Sequence, residues 1–302
     1  MRSRFAPSPT GPLHLGNLRT ALVSWLHARS EHGQWLVRME DLDRITSSAA
    51  HESDQLRSLA ALGLHSDEAV VRQSERFDLY RDAIATLQRQ GRVYECYCTR
   101  REIREAAHAP HDDGTLVAYP GTCRRLTDER RRQLAAMGRP PALRLRSHDE
   151  RFVVHDLLAG EFDGVAHDVV LQRNDGVPAY NVAVVVDDAM QAISHVVRGH
   201  DLLSSVPSQR LLQQLLDLPE PTYAHVAMVL AGDRSRLAKR HGAVTLADLA
   251  ARGVDSASVL ALLGHSLDLC SLHDRVTATD LVTVFRIGAV PRTPWSLTPD
   301  QL

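Results

Sequence analysis

Pro12-Leu13-His14-Leu15-Gly16-Asn17 is the stretch on which the reading of this chain turns. Before it, Arg4-Phe5-Ala6 is short and extended, and Pro7, Pro9, Gly11 and Pro12 break any regular element. From Asn17 onward Leu18, Ala21, Leu22, Trp25 and Leu26 fall on the apolar stripe of a helix. A strand that turns into a helix N-terminus presents unpaired amides and a partial positive charge, which suits phosphate. Gly16 permits close backbone approach, and His14 and Asn17 can donate to phosphate oxygens. The same residues also fit a plain turn with a capping histidine.

Outward from this turn, residues 35–39 read as a second strand and residues 47–62 and 74–90 as amphipathic helices. Strands alternating with helices imply a parallel sheet covered by helices. From Cys96 to about Pro140 the chain is polar and reads as an insertion, with Asp128-Glu129-Arg130-Arg131-Arg132 on a solvated helix face. Strand-like runs return at 142–146 and 152–155. Residues 168–173, the turn Asn174-Asp175-Gly176 and the apolar run after it read as a hairpin. The αβ pattern resumes with strands at 195–198 and 223–230 around a helix at 202–216, and helices follow Ala243. Pro291, Pro294 and Pro299 suggest a loose tail. The organisation expected is a first half of a Rossmann-type domain at 1–92, an insertion at 93–165, the second half at 166–243 and a helical C-terminal region at 244–302.

Composition narrows the class. The chain has 302 residues, 44% hydrophobic and 24% charged, with a formal charge of -2, so it has no globally basic body for nucleic acid. A nucleic-acid partner would meet a local patch. No stretch is long and apolar enough for a bilayer, and Met1 to Pro9 has no apolar signal core, so a cytoplasmic protein is expected. Of the four cysteines, Cys96, Cys98 and Cys123 lie close in sequence, which in a reducing compartment suggests a metal. Cys270 stands alone and reads as a small apolar residue.

A second cationic element comes late, after a strand: Arg234-Ser235-Arg236-Leu237-Ala238-Lys239-Arg240. Such crowded cations repel one another unless an anion neutralises them; triphosphate is one candidate and solvent another. Together the two elements resemble the paired signatures of class I aminoacyl-tRNA synthetases: the HIGH motif at His14 to Asn17, and a KMSKS-like loop at Arg236 to Arg240. The loop departs from that pattern at Arg236, which keeps charge, and Ala238, which loses a hydroxyl. The resemblance narrows to glutamyl-tRNA synthetases through Arg4-Phe5-Ala6-Pro7-Ser8-Pro9-Thr10-Gly11, Arg38-Met39-Glu40-Asp41-Leu42-Asp43, Tyr180-Asn181, Val184-Val185-Val186-Asp187-Asp188 and Val197-Arg198-Gly199-His200-Asp201-Leu202. It spans Arg4 to about Val244. It implies an ATP-dependent ligase of α/β class I synthetase fold, with a parallel Rossmann-type sheet, an inserted zinc-binding, acceptor-like subdomain and a short helical C-terminal region.

The resemblance implies site residues too. His14, Gly16, Asn17, Arg236 and Lys239 would bind ATP, accompanied by Mg²⁺, with His14, Asn17 and Lys239 catalytic. Arg4, Ala6, Ser8, Glu40, Tyr180 and Arg198 would bind glutamate. The chemistry is consistent: the side-chain carboxylate calls for guanidinium groups, and the ammonium for an acid or hydroxyl. Alternatives at these positions are a surface acid at Glu40, a core aromatic at Tyr180, and an ion pair of Arg198 with Asp201 or Asp187. Three thiolates in a short insertion suit tetrahedral zinc. By chemistry alone His108 or His111 would be the fourth ligand, whereas a C-x-C, Y-x3-C pattern in a small glutamyl-tRNA synthetase relative implies Tyr119 beside Cys96, Cys98 and Cys123.

Glutamyl-tRNA synthetases continue into a long helical region that grips the anticodon, and this sequence stops at Leu302. The expectation is therefore a stand-alone core similar to the glutamyl-Q tRNA(Asp) synthetase family. That resemblance implies a monomer that activates L-glutamate without tRNA and transfers it to queuosine in the tRNA(Asp) anticodon stem-loop. Competing readings are a compact synthetase charging the 3′ end, a small-molecule nucleotidylyltransferase, and a paralogue that only binds RNA.

Overall fold

Five strands form the central sheet: Arg2–Phe5 (β1), Gln34–Met39 (β2), Val71–Arg72 (β3), His195–Gly199 (β9) and Thr222–Val226 (β10). They lie in the order β10-β9-β1-β2-β3, and every neighbouring pair is parallel. The computed structural model describes residues 1–99, 102, 119–230 and 244–298. The expected parallel α/β sheet is the one observed. Its central strands, buried on both faces, read as continuous apolar runs such as Trp35-Leu36-Val37, the pattern for a sheet covered by helices.

Helix α1 (Leu15–Ser30) is buried along almost its whole circumference, packing against β1, β2 and β9. Its one buried serine is fully used: Ser24 Oγ donates to Arg4 O (3.2 Å) and accepts from Trp35 Nε1 (3.0 Å). Arg19 is also buried on α1, donating to Ala227 O (3.0 Å), Ser266 Oγ (3.0 Å) and Ser266 O (3.1 Å). Burial lowers its pKa to about 10, so it stays charged near neutrality. It ties α1 to the end of β10 and to the helical region beyond residue 244. Helices Ala49–Ala61 (α2) and Phe77–Arg89 (α3) fall within the stretches read as helical.

Strands Val93–Cys96 (β4), Ala142–Leu145 (β5) and Val170–Gln172 (β8) make an antiparallel sheet, and Arg151–Asp156 (β6) pairs with Gly160–Val165 (β7) as a hairpin. The second strand of that hairpin had no legible signal: Gly-Glu-Phe-Asp-Gly-Val lacks a regular alternation. Helix α4 (Asp128–Ala136) presents its charge cluster to solvent and buries Leu134, as expected.

Two expectations need correction. The apolar run after Asn174-Asp175-Gly176 is not a returning strand. The turn closes through Arg173 N to Val177 O (2.8 Å) and a bridge from Gln172 to Pro178, and then Tyr180–Met190 forms helix α5. Val182 to Val186 are buried on every side, so neither period is visible in the sequence. The tail is not loose up to residue 298. Trp295–Ser296 (β12) pairs in parallel with Val229–Leu230 (β11), and Val290 and Leu297 are buried. Helices Val206–Leu215 (α6), Leu246–Ala251 (α7), Ser256–His265 (α8) and Ala278–Val284 (α9) complete the architecture. Among the described residues no helix is long and apolar enough to cross a membrane.

A fully buried carboxylate joins three of these layers. Asp187 on α5 accepts from Tyr80 Oη (2.7 Å), Gln73 Nε2 (2.9 Å) and Arg76 Nε (2.7 Å). Asp187→Ala leaves those donors unsatisfied in the interior and should cost about 3–5 kcal/mol of folding stability. Urea unfolding checks this; a loss under about 1 kcal/mol, the value of an exposed pair, would mean that the cluster is not structural.

Candidate active site

At the C-terminal ends of β1 and β9 lies a cavity of about 790 Å³. The chain leaves β1 towards β2 and β3 on one side, while β9 and β10 lie on the other, so the cavity sits where the strand order reverses. Open parallel sheets bind ligands in that crevice. Every described residue singled out by the sequence for ATP or glutamate lines it: Arg4, Ala6, Ser8, His14, Gly16, Asn17, Glu40, Tyr180 and Arg198. Arg236 and Lys239, with Arg240, lie outside the described residues.

The phosphate-type turn is built as a helix cap. His14 is the N-cap of α1: its Nδ1 accepts from Asn17 N (3.3 Å), and Asn17 Oδ1 accepts from His14 N (3.2 Å). The plain-turn reading is therefore correct for Nδ1. With Nδ1 accepting, the proton of the neutral ring is on Nε2, a donor. A Cβ on Gly16 would stand 3.0 Å from the His14 ring and 3.5 Å from Val229 Cβ, so any side chain there would press the ring outward by a few tenths of an ångström. Leu15 N donates to Val244 O (3.0 Å), and His14 bridges to Thr245. Leu230 and Val244, the described residues flanking 231–243, are thus both held near this turn.

The loop from Ala6 to Leu13 is rich in proline and poor in N–H donors. Its carbonyls are taken from outside: Pro7 O by Glu40 N (2.9 Å), Pro9 O by Ser48 N (3.1 Å), and Ser8 O and Gly11 O by Gln55 Nε2 (3.0 and 2.7 Å). Gln55 is buried on α2 and carried no signal in the sequence.

The two cavity arginines differ in their charge balance. Arg4 pairs with Asp188 through Nε (2.9 Å) and Nη2 (3.2 Å), and Asp188 also accepts from Arg38 Nη1 (2.8 Å). Burial alone would raise the Asp188 pKa, but the two guanidiniums outweigh it and hold the carboxyl below the usual range. Glu40 stands 3.5 Å from Arg38 Nη2, and burial pushes its pKa up against that attraction. Arg198 is buried with neutral partners among the described residues: His225 Nε2 (3.0 Å), Tyr180 Oη (3.2 Å), Gln209 Oε1 (2.8 Å), Ser205 Oγ (3.3 Å) and Leu202 O (3.4 Å). No pair with Asp201 or Asp187 forms. Among the described residues, the cavity wall therefore carries a guanidinium charge with no carboxylate against it. His225 and Gln209, which hold it, escaped sequence reading because nothing local in either element marks them as facing Arg198.

In the insertion, the sulfurs of Cys96, Cys98 and Cys123 lie within 4.8 Å of one another, the last two 3.5 Å apart. Tetrahedral zinc with bonds of about 2.3 Å spaces sulfurs by about 3.8 Å, so the donor set fits. Tyr119 Oη lies 3.5 Å from Cys96 Sγ and 3.8 Å from Cys98 Sγ, and accepts from Cys123 N (2.7 Å). The Arg144 guanidinium stacks 3.9 Å over its ring. The hydrogen bond from Cys123 draws the Cys96 thiol below its ordinary value against the effect of burial. His108 and His111 lie outside the described residues.

Comparison with known proteins agrees with this geometry. The family model for class I tRNA synthetases (E and Q), catalytic domain, matches residues 1–295. The chain is 53% identical to a protein named glutamyl-Q tRNA(Asp) synthetase from Nocardia farcinica, over 99% of this chain and 94% of that protein. It is 41% identical to a glutamate–tRNA ligase of Syntrophus aciditrophicus, spanning 63% of that longer chain. Among solved structures, a glutamate tRNA ligase from Elizabethkingia meningosepticum, crystallised with its amino acid, superposes over 100% of this chain and 68% of its own, with a TM-score of 0.83 and 26% identity. A parallel sheet with its cavity at the switch point, a histidine-capped helix start and these relatives together show that the chain belongs to the class I tRNA synthetases of the E and Q type, ligases by reaction, in the glutamyl-Q tRNA(Asp) synthetase branch.

Proposed function

We propose that the protein activates L-glutamate with ATP without tRNA and transfers it to queuosine in the anticodon loop of tRNA(Asp). The observation that carries the first half is Arg198, a buried cavity guanidinium with no carboxylate partner among the described residues. An anionic side chain neutralises it, and a neutral one does not. In this reading Arg198 and Arg4 take the substrate's side-chain carboxylate, and Glu40, Tyr180 and Ser8 take its ammonium beside the backbone at Ala6. An oxygen of the α-carboxylate attacks the α-phosphorus of ATP, the bond to the β-phosphate oxygen breaks, and pyrophosphate leaves. The developing charge meets His14 Nε2–H, the amides at the start of α1, and Arg236 and Lys239. Mg²⁺ bound with the nucleotide supplies further charge neutralisation. Cys96, Cys98 and Cys123, with Tyr119 as fourth donor, would hold one structural zinc that orders the insertion.

Support for the second half comes from the relatives. Those named glutamyl-Q tRNA(Asp) synthetase in Nocardia farcinica and Symbiobacterium thermophilum are each covered over 94% of their length, so the present chain is of their size. In the transfer step a hydroxyl of the queuosine cyclopentenediol attacks the adenylate carbonyl, loses its proton, and AMP departs. A splayed anticodon loop suits recognition by shape and stacking rather than by a broad basic face.

Three measurements test this reading. Glutamate should support ATP–pyrophosphate exchange without tRNA, with glutamine weaker by on the order of 10²-fold or more, because the amide leaves the guanidiniums unpaired. Arg198→Ala should weaken glutamate use by about 2–5 kcal/mol, the range for one partner of a buried charge pair. Equal rates with both amino acids, or an unchanged variant, would remove the pocket assignment. Freshly purified protein should carry about one zinc per chain. Loss of zinc in Cys96→Ala but not in Tyr119→Phe would leave the thiolates in place and reject the phenol. Labelled glutamate should map by nuclease digestion to queuosine in tRNA(Asp). Label in the 3′-terminal adenosine, or equal labelling of tRNA lacking queuosine, would instead favour a compact synthetase.

A further inference from the structure

Behind Arg198, away from the cavity, stands a two-residue chain that neither the phosphate turn nor the substrate contacts use. His225 on β10 is 1% exposed, and both of its ring nitrogens are engaged. Nε2 accepts from Arg198 Nε at 3.0 Å. Nδ1 lies 2.5 Å from Asp156 Oδ2, at the end of β6. The other oxygen of Asp156 accepts three backbone N–H groups, from Leu158 (2.9 Å), Ala159 (2.7 Å) and His225 itself (3.0 Å). The carboxylate is thus fixed by its own turn and cannot swing.

Donor and acceptor roles here follow from chemistry. A guanidinium Nε–H only donates, so Nε2 must be the unprotonated nitrogen, and the single proton of the neutral ring must sit on Nδ1 facing Asp156. Burial lowers the His225 pKa to about 4, so the ring is neutral at physiological pH, and hydrogen bonds hold the Asp156 carboxyl at about 2 against its burial. Tyr180 and Gln209 brace the two terminal nitrogens of Arg198 from other directions, which leaves His225 as the group that holds Nε.

We propose that Asp156 and His225 are positioning residues for amino-acid recognition: the carboxylate selects the tautomer of His225 whose Nε2 can accept from Arg198, which aims the guanidinium at the substrate's side-chain carboxylate. This rests on Arg198 contacting that carboxylate. Asp156 lies on the hairpin outside the parallel sheet and reaches Arg198 only through His225.

The test is Asp156→Asn. The asparagine carbonyl can keep the three backbone donors, while its NH₂ faces Nδ1. The ring then shifts its proton to Nε2 and points N–H at N–H of Arg198. The KM for glutamate in pyrophosphate exchange should rise roughly 10-fold, the scale of one buried unsatisfied donor, while the KM for ATP and the thermal midpoint change little. In His225→Gln the side-chain carbonyl can replace the Nε2 acceptor with no tautomer to select. Glutamate KM should rise less there, and adding Asp156→Asn should have little further effect. An unchanged glutamate KM in Asp156→Asn, with Arg198→Ala impaired, would overturn the positioning role and leave the pocket standing. An unimpaired Arg198→Ala would overturn both. Equal rises in both KM values, or an equal Asp156→Asn effect in the His225→Gln background, would reduce the pair to packing. If Asp156→Asn does not fold, the ring-nitrogen NMR shifts of the unsubstituted protein decide: Nδ1–H supports the proposal, and Nε2–H or an imidazolium overturns it.

Discussion

The carboxylate of Asp188 receives one guanidinium from each of the two adjacent strands β1 and β2, and the floor of the cavity follows from that pairing. Arg4 and Arg38 are both nearly inaccessible to water. Two such charges on neighbouring strands of a parallel sheet would drive the strands apart without a counter-ion. Asp188 supplies it from α5, and the next acid, Asp187, turns the same helix towards α3 through Arg76 and Tyr80. One helix end therefore fixes the sheet, the helix covering it and, through Tyr180 at the other end of α5, one wall of the cavity. Because Arg4 and Arg38 are paired with Asp188, Arg198 is, among the described residues, the cavity arginine that keeps no carboxylate partner.

That division was only half visible in the sequence. The strand, turn and helix around His14 are contiguous, so local rules of spacing and helix entry sufficed to place them. The parallel sheet was legible from alternating elements, and the described motif residues converge on one cavity. What was not legible depends on contacts between residues far apart in number. Arg4 reads as an available cation until Asp188, on the far side of the chain, is seen to pair with it. Asp156 and His225 look like ordinary polar residues at a strand end and in an apolar strand. The run from Val182 to Val186 is buried all round, so it gave no helical face, and the stretch read as a hairpin. Trp295 carries no strand signal of its own, because its partner Val229 supplies the ladder.

The histidine cap shows how one residue serves both fold and chemistry. His14 Nδ1 closes the first turn of α1, and this fixes the proton on Nε2 and the ring over Gly16. The direction of the His14 donor into the cavity is then a by-product of helix capping. At the other end of the cavity the corresponding direction is given to Arg198 by a neutral ring held by a carboxylate. The two ends use the same device: a histidine is committed at one nitrogen so that the other has a defined role.

The pairing of β11 with β12 has a consequence in effective concentration. Leu230 is held by Leu297 N and by the ladder to Trp295–Ser296, and Val244 by Leu15 N. The described residues on either side of 231–243 are thus both held beside the turn at His14. The entropy of closing a chain between fixed ends grows only slowly with its length. Under the proposed activation step, the cations in that segment would meet bound nucleotide as an intramolecular reagent at high local molarity. A short parallel ladder far along the chain thus does for the cationic segment what a linker of matched length does for a bivalent ligand.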